Sequence, residues 1–356
     1  MSDDVAAWAA QFATAAAMVD VARFGSGHVN DTYLVTDEAG NRYVMQSVNR
    51  LAFRRPDHVM ENILRVTAAM AAQVPDPRRR LTLVPTRSGN WWLDGQDGQC
   101  LRMYDFIDGS CELTTPVSLD EFAAVGRAFG DFLVQMAAIP PDQLHVTIEG
   151  FHDEPRYISR LKAAVAADPL GRVSEMTKDI ELALSYEAIS HDFDATTMPL
   201  RVTHNDAKVS NVLFDAVTRQ PLCVVDLDTV QPGYCVNDFG DAIRSGASTA
   251  PEDEADLSRV SFSLDLFAAF TEGYLAACGD VLEPVEIANL RQGARAMTLE
   301  TSLRFLTDYI EGDVYYRIAY PHHNRDRARN QMTLLQDIDR HWDAMGRLIS
   351  GSINRF

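Results

Sequence analysis

The stretch from Leu200 to Thr229 constrains the fold of this chain most strongly, because it alternates short apolar runs with polar clusters. Runs of this length, bounded by turn residues, predict a β-hairpin with a further strand beside it. The apolar runs lie at 200–203, 212–214 and 222–225. Polar side chains follow the ends of these runs, and their chemical types indicate what the segment can do.

Three of those polar side chains are Asp206, Asn211 and Asp226. A single carboxylate beside a turn is usually a cap or a solvated loop residue. A carboxylate, an amide five residues later and a second carboxylate after the next strand suit phosphoryl transfer better. That reaction needs a group to orient the nucleophile and oxygen ligands for Mg²⁺ on the phosphates. We therefore predict that Asp206 is the catalytic base and that Asn211 and Asp226 bind Mg²⁺.

Length and charge limit the remaining possibilities. A chain of 356 residues exceeds one ordinary core, which predicts two lobes or domains. The net charge of −19, from 51 acidic and 32 basic residues, argues against nucleic acid or an anionic membrane as a partner. Five cysteines without a C-x-x-C pair predict reduced thiols. Without a signal-like N terminus or a membrane-length apolar run, a cytoplasmic location is expected.

A glycine-containing segment, Gly25-Ser26-Gly27, precedes a predicted β-hairpin. Glycines let backbone N–H groups approach phosphate oxygens closely, although a glycine within a strand more often marks a bulge. The position of this segment, with the phosphoryl-transfer motif downstream, favours a loop that covers the phosphates of ATP.

Gln46 lies on the next predicted strand, where protein kinases carry a phosphate-pairing lysine. The only lysines in the chain are Lys162, Lys178 and Lys208, so none precedes residue 162. Backbone groups, Mg²⁺, an arginine or Gln46 as a neutral donor must then hold the ATP phosphates. We count Gln46 among the nucleotide-binding residues, and a nucleotide-binding protein without turnover is the alternative.

The segment Met103–Ile107 leads into Asp108-Gly109, a suitable hinge between two lobes. Its backbone groups can read the edge of adenine, and its apolar side chains can cover the ring. Met103, Tyr104 and Phe106 are therefore predicted to contact ATP, with a buried edge strand as the alternative for each side chain.

Periodicity predicts strands before this hinge and mainly helices after it, with a capping box at Ser118 and Glu121. The predicted fold is α+β and bilobal: residues 1–102 form a mostly β nucleotide lobe, 103–110 the hinge and 111–356 a mostly helical lobe. Predicted strands include 23–35, 42–48 and 101–107, and predicted helices are 5–19, 56–72, 156–167, 175–189, 257–277, 284–312 and 332–349.

The motif H-N-D-A-K-V-S-N at 204–211, followed by V-D-L-D at 225–228, resembles the catalytic and metal loops of the aminoglycoside phosphotransferase and choline kinase group. These enzymes are small-molecule kinases with a protein-kinase-like fold. Further blocks at 25–34, 238–249 and 304–321 make the chain similar to the N-acetylhexosamine 1-kinases within that group.

The resemblance implies an ATP-dependent kinase that phosphorylates the anomeric hydroxyl of an N-acetylhexosamine, with Asp206 orienting that hydroxyl. Arg304 and Tyr315 match positions that contact the sugar in the resembling kinases. Because residues 311–313 interrupt the helix between them, we expect the chain to fold back and bring both towards one pocket.

Several assignments stay open at this point. Asp228 either faces the sugar or makes a supporting contact behind the site. His204 is expected to support the loop, and Asp238 to cap a helix or, by the resemblance, to brace the catalytic loop. A kinase for a hexose, an aminoglycoside or an amino alcohol, and a non-catalytic nucleotide-binding regulator, are the alternative functions.

Overall fold

The computed structural model describes residues 3–25, 30–95, 99–113, 117–188 and 197–353. An antiparallel sheet occupies the N-terminal part, and helices dominate the remainder, which confirms the predicted α+β class. Ser26 and Gly27 of the predicted nucleotide loop lie outside the described residues.

The N-terminal sheet consists of β1 (Met18–Arg23), β2 (Asp31–Asp37), β3 (Arg42–Val48), β4 (Leu93–Asp94) and β5 (Cys100–Asp105). Its order is β1-β2-β3-β5-β4, and each strand is antiparallel to its neighbours. In this register Gln46 of β3 lies directly opposite Arg102 of β5. The two side chains therefore project from the same face of the sheet.

Alternate residues of β5 face opposite sides of the sheet. Met103 packs with Met45 and Phe12 in an outer core. Tyr104 belongs to the large core that continues into the helical region, and Arg102 points to the same side. The side chain of Met103 therefore lies away from the cleft between the lobes, because it occupies the opposite face of β5.

The helical region is organised around α8 (Pro284–Glu311), which packs most extensively against α4 (Glu154–Ala167), α6 (Cys235–Gly246) and α9 (His323–Arg340). Gly240 and Gly293 allow one of these crossings, since a Cβ on Gly240 would lie 2.1 Å from the carbonyl oxygen of Gly293. The helices are α1 (Asp3–Ala9), α2 (Pro56–Gln73), α3 (Leu119–Met136), α4 (Glu154–Ala167), α5 (Thr177–Ser185), α6 (Cys235–Gly246), α7 (Leu264–Cys278), α8 (Pro284–Glu311), α9 (His323–Arg340) and α10 (Trp342–Ile353).

Several predicted elements are confirmed closely, including α2, α8 and the capping box at the start of α3. The predicted helix over 5–19 is wrong, because α1 ends at Ala9 and Met18–Arg23 pairs with β2 instead. Tertiary pairing overrides the helical propensity of the alanines there. The predicted helix over 332–349 is two helices, since the chain turns at His341.

The connection between the lobes begins after β5 and runs through 106–109. It leads into β6 (Ser110–Glu112), which pairs with β8 (Val212–Asp215), and β8 forms a hairpin with β9 (Pro221–Val224). The apolar run before the catalytic motif becomes β7 (Arg201–Thr203), which pairs with β10 (Gln231–Gly233). The hairpin prediction is thus confirmed for the second and third runs, whereas the first run, 200–203, joins a different strand pair and does not lie beside the hairpin.

Candidate active site

The loop between β7 and β8, which is the predicted catalytic loop, is fixed from behind by Asp238. The backbone N–H groups of His204 and Asn205 donate to its two carboxylate oxygens, at 2.7 Å and 2.6 Å. Asp238 lies inside the first turn of α6, whose N-cap residue is Tyr234. The N-cap prediction is therefore wrong, and the contacts are those of a brace for the loop.

His204 is fully buried beneath the loop, with its ring edge-on to Phe129 and Phe132. One ring nitrogen lies 2.9 Å from the carbonyl oxygen of Val225, and the other accepts the N–H of Asp206 at 3.3 Å. Both nitrogens are occupied by the backbone, so His204 supports the loop and has no access to a substrate.

Asp206 carries two side-chain donors on one carboxylate oxygen: Lys208 Nζ at 2.7 Å and Asn211 Nδ2 at 3.0 Å. Burial opposes ionisation of this carboxyl group, but the neighbouring ammonium and amide lower its pKa to about 2. Asp206 is therefore ionised throughout the physiological range and accepts hydrogen bonds.

Lys208 was not singled out from the sequence as a functional residue, although it stands within the recognised motif. Two signals were available: it follows Asp206 by two residues, and it is one of only three lysines. Burial opposes its charge, but Asp206 and Asp226 raise its pKa above the usual range. The site thus holds a permanent cation beside the predicted base.

Asp226 follows β9 in a left-handed backbone conformation, with φ of 62°. Aspartate is one of the few residues that tolerate this conformation. The residue is exposed to solvent, yet the surrounding protein and the charges of Asp228 and Asp206 raise the pKa of its carboxyl group to about 6. A cation beside Asp226 would relieve this repulsion, and the nearby amide of Asn211 supplies a second oxygen ligand of the type that Mg²⁺ prefers.

Within the residues that the structure describes, no group of three or more His, Cys, Asp or Glu side chains is arranged to hold a metal ion. An Mg²⁺ ion that arrives with a nucleotide needs only one or two protein ligands besides phosphate oxygens. Asn211 and Asp226 are compatible with that mode of binding.

Asp228 is buried and faces the N-terminal sheet. Its carboxylate forms an ion pair with Arg102 and accepts a hydrogen bond from Asn30 Nδ2 at 2.7 Å. Of its two expected positions, the structure shows the supporting one. Arg102 also donates twice to Gln46 Oε1, at 3.1 Å and 2.8 Å, so Gln46 contacts an arginine.

Helix α2 contacts the large lobe through its polar side chains. Asn62 Nδ2 donates to the carbonyl oxygens of His145 and Val230, at 2.8 Å and 3.0 Å. Glu61, the residue at the position where a kinase glutamate would meet a lysine, lies 2.7 Å from His145 Nε2. Neither residue contacts Gln46. Through these side chains α2 contacts the C-terminal lobe and not Arg102, the cation of the N-terminal sheet.

The predicted nucleotide contacts are distributed over the N-terminal sheet and the connection that follows β5. Gly25 has φ of +76° and open space around it, as a tight loop requires. Phe106 is partly exposed and lies edge-on to Phe24, with their ring centroids 5.9 Å apart. Tyr104 is buried on the cleft face, whereas the Met103 side chain faces the outer core. This placement argues against a nucleotide contact through the Met103 side chain.

The segment after α8 folds back as expected, and Asp308 holds it. Its carboxylate accepts the backbone N–H groups of Val314, Tyr315 and Tyr316, at 2.8–3.0 Å. Gly312 makes the reversal possible with φ of +109°. One aspartate near the end of the helix thus determines where the returning chain lies.

The fold-back places an aromatic set around Arg304. The centres of the Phe151, Tyr157 and Tyr316 rings lie 5.6–5.7 Å from its guanidinium carbon. Tyr315 contacts the Tyr316 ring edge-on and remains 57 % exposed. The segment comes towards Arg304 as predicted, but Tyr316, which was not predicted, is the tyrosine that packs on it.

His152 connects this aromatic set to the catalytic loop. Its Nδ1 lies 3.1 Å from Glu300, which also contacts Arg304, and its Nε2 lies 3.1 Å from the carbonyl oxygen of Asn205. An ionised carboxylate and a carbonyl only accept, so both contacts are hydrogen bonds at the same time only when His152 carries the imidazolium charge. Burial opposes that charge, but Glu300 raises the pKa of His152.

A two-lobed α+β fold with a nucleotide-lobe sheet, a braced Asp–Lys–Asn loop and an exposed aspartate after the next hairpin defines a kinase-like phosphotransferase. The model of the phosphotransferase enzyme family matches residues 20–274, and the chain belongs to this family. Its members transfer phosphate to small molecules. Across the described ranges, no helix is both long and apolar enough to span a membrane.

Solved structures share the fold at low sequence identity. A microcompartment-associated aminopropanol kinase superposes with a TM-score of 0.63 at 16 % identity, covering 96 % of this chain and 98 % of its own. The amicoumacin kinase hAmiN in complex with AMP-PNP, Ca²⁺ and Ami gives a TM-score of 0.63 at 14 % identity, covering 95 % of this chain and 93 % of its own. Plasmodium vivax ethanolamine kinase gives 0.53 at 12 %, covering 88 % and 81 %.

Proposed function

We propose that this protein is an ATP-dependent kinase that phosphorylates N-acetylhexosamines on the anomeric hydroxyl, giving the α-1-phosphate. The observation that carries the proposal is that side-chain contacts connect two sites. Asp206 and Lys208 form a phosphoryl-transfer centre, and the Glu300–His152 contacts connect it to Arg304 among aromatic rings. The resemblance supplies the choice of sugar and hydroxyl.

In this proposal Asp206 orients the anomeric hydroxyl and accepts its proton as the oxygen attacks the γ-phosphorus of ATP, while the bond from that phosphorus to the β–γ bridging oxygen breaks and ADP leaves. A carboxylate with a pKa of about 2 is a weak base. The anomeric hydroxyl suits it, because this hydroxyl is more acidic than an ordinary sugar alcohol. ATP also offers Lys208 a second anionic partner, which weakens its hold on Asp206 as the reaction begins.

Asn211 and Asp226 would hold Mg²⁺, which offsets negative charge on the phosphates when it is bound. The amide nitrogen of Asn211 is used by Asp206, which directs its amide oxygen to the other side. The amicoumacin kinase crystallised with a nucleotide analogue and a divalent cation, a pairing that supports ATP and metal for this fold.

The neighbourhood of Arg304 favours a neutral acceptor. Glu300 is the acidic group nearest to it, and both His152 and Arg304 already compensate that charge. An ammonium substrate would meet Arg304 as a like charge, whereas hydroxyl and acetamide oxygens would accept its N–H groups. Aromatic side chains beside it can cover the apolar face of a sugar ring.

The sharpest test compares N-acetylglucosamine with glucosamine, since the two differ by the acetyl group that removes the ammonium charge. We expect coupled ADP release to be higher by at least about tenfold with the acetylated sugar, a difference of about 1.4 kcal/mol. Ethanolamine, aminopropanol and an aminoglycoside complete the panel, because the structural neighbours include kinases named for such amines. Preference for any amine would refute the sugar assignment, and nucleotide binding without turnover would favour a regulator.

Phosphorus NMR of the product tests the position of transfer. Arg304→Ala and Tyr315→Phe should raise the KM for the sugar, and Arg340→Ala at an exposed position of α9 serves as the matched control. A 6-phosphate product, or an unchanged sugar KM in both site variants, would contradict the proposal.

A further inference from the structure

The one ion pair of the cleft that joins the two lobes at depth consists of Arg102 on β5 and Asp228 in the turn after β9, as far as the described residues show. Their side chains are only 1 % and 3 % exposed. Burial opposes the charge on Arg102, but Asp228 more than compensates and raises its pKa. Each charge therefore depends on the other, because water reaches neither.

Gln46 explains why this cation is an arginine on β5 and not a lysine on β3. The two residues are directly opposite each other in the sheet, and Gln46 Oε1 accepts two N–H groups of Arg102. A lysine at position 46 would place a second cation against Arg102, and like charges opposite each other destabilise a sheet. The amide instead orients the guanidinium, which then reaches the large lobe.

The carboxylate that pairs with this cation also lies on a different element from its counterpart in protein kinases. In protein kinases the β3 lysine pairs with a glutamate of the helix equivalent to α2. Here Glu61 of α2 contacts His145 and Arg65, while Arg102 is paired with Asp228 beside the predicted metal ligand Asp226. Arg102, the cation of the N-terminal sheet, is thus connected to the turn that carries the predicted metal ligand.

The turn held by Arg102 is also tied to the catalytic loop. The Thr229 hydroxyl donates to the carbonyl oxygen of His204 at 2.7 Å, and Asn205 Nδ2 donates to that of Thr229 at 3.0 Å. Asn30, which follows the predicted nucleotide loop, holds the second oxygen of Asp228. The turn at 227–229 therefore contacts β5 of the sheet, Asn30 just before β2 and the catalytic loop.

We propose that Arg102, oriented by Gln46, is a positioning residue that fixes the turn at 227–229 through Asp228 and so presents the Asp226 carboxylate for Mg²⁺-bound nucleotide. The pair replaces the lysine–glutamate pair of protein kinases in fixing the two lobes, without being a phosphate ligand. This proposal rests on the assignment of Asp226 as a metal ligand.

The test measures binding of AMP-PNP by calorimetry, with and without Mg²⁺, to wild type and to the double variant Arg102→Met/Asp228→Asn. Removing both charges leaves no buried charge without a partner. We expect the Mg²⁺-dependent gain in affinity to fall by about 10- to 100-fold, as for other supporting contacts of metal ligands. Affinity for metal-free AMP-PNP should change by less than about twofold.

Two outcomes would overturn the proposal. An equal loss with and without Mg²⁺ would make Arg102 a direct phosphate ligand, and unchanged binding in a folded protein would make the pair purely structural. The exposed pair Arg55 and Asp57 in the same lobe supplies the control, Arg55→Met/Asp57→Asn, which should match wild type.

A second variant, Gln46→Lys, keeps both members of the pair and tests the same idea if the double variant does not fold. It restores the lysine of protein kinases, yet we expect it to weaken Mg²⁺-dependent binding by at least about tenfold, since it places a cation against Arg102. Tighter binding would overturn the proposal. The binding measurements need no acceptor, so a wrong sugar assignment would leave them interpretable, whereas a wild type without any Mg²⁺-dependent gain would refute the metal role itself.

Discussion

The cleft contains two ion pairs of the same chemistry in opposite surroundings. Lys208 and Asp206 are 38 % and 29 % exposed, whereas Arg102 and Asp228 are almost completely buried. A pair in contact with water can change partners at small cost, because solvent stabilises each charge. A buried pair cannot, because separation leaves both charges without compensation. The first pair therefore suits a reaction in which charges move, and the second suits holding two lobes in place.

The pairs also differ in how the chain brings them together. Asp206 and Lys208 lie within one loop, so their contact follows from local geometry. Arg102 and Asp228 come from different lobes and meet only when the N-terminal sheet and the turn at 227–229 are both folded. Each pair makes its own prediction about activity or stability.

The largest expected effect is on turnover. Asp206→Asn keeps the shape of the side chain and removes the proton acceptor, which should lower kcat by roughly 10²–10⁴-fold. ADP release measures the effect, and thermal unfolding of the variant should remain close to wild type. Near-normal turnover would remove Asp206 from the mechanism.

For stability, we expect the buried pair to contribute more than the partly exposed pair. Arg102→Met leaves Asp228 buried without a cation, and the free energy of unfolding should fall by about 3–5 kcal/mol. Lys208→Met breaks a partly exposed pair, for which about 0–1 kcal/mol is expected after solvent screening. Urea unfolding of both variants checks the contrast, and similar losses would show that burial does not distinguish the pairs.

Removing Lys208, the partly exposed cation, should affect chemistry and pH dependence together. Lys208→Met should lower kcat by roughly 10²–10³-fold, the usual cost of losing one donor to developing charge. Lys208 also lowers the pKa of Asp206, so its removal should raise that pKa and move the acid limb of the kcat/KM profile to higher pH. An unchanged acid limb would mean that another group controls the profile.

The last prediction concerns stability alone and depends on pH: it involves a buried carboxyl group, Glu154, which lies near Glu300 and His152. Burial and the Glu300 charge raise its pKa to about 8. Because the folded state binds this proton more tightly than the unfolded state, wild type should lose stability as pH rises from about 4.5 to 8, by up to about 1.4 kcal/mol per pH unit.

Glu154→Gln keeps the neutral form at every pH. It should match wild type near pH 4.5 and gain on it steadily up to pH 8, as measured by thermal unfolding across that range. Glu187→Gln, at an exposed position that pairs with Lys162, provides a control without this trend. A constant difference between Glu154→Gln and wild type would show that the carboxyl group does not titrate within the window.

Parts of the fold were predictable because local rules decided them. The start of α3 follows from Ser118 and Glu121, which satisfy each other's backbone N–H groups within one turn. Helix α2 begins at Pro56, a residue that is preorganised for the first helical position. The strand Met18–Arg23 was missed because its stability comes from pairing with β2, and the alanines before it favour a helix.

The active site divides in the same way. Asp206, Lys208 and Asn211 share one short loop, so their spacing alone places them together. His152 carried no signal in the sequence, because its importance comes from two contacts with distant elements, Glu300 and the Asn205 carbonyl. Met103 looked like a hinge side chain, but the alternation of β5 turns it to the outer face.

The sequence alone determined the family of chemistry, since it contains a carboxylate, an amide five residues later and a second carboxylate after the next strand. It also determined the α+β division of the chain through its periodicities. Only the tertiary structure decided that Arg102 meets Asp228, that Gln46 orients it and that Tyr316 packs on Arg304. Those contacts depend on strand register, on the face of each strand and on where Asp308 returns the chain, and residue spacing encodes none of these across a folded core.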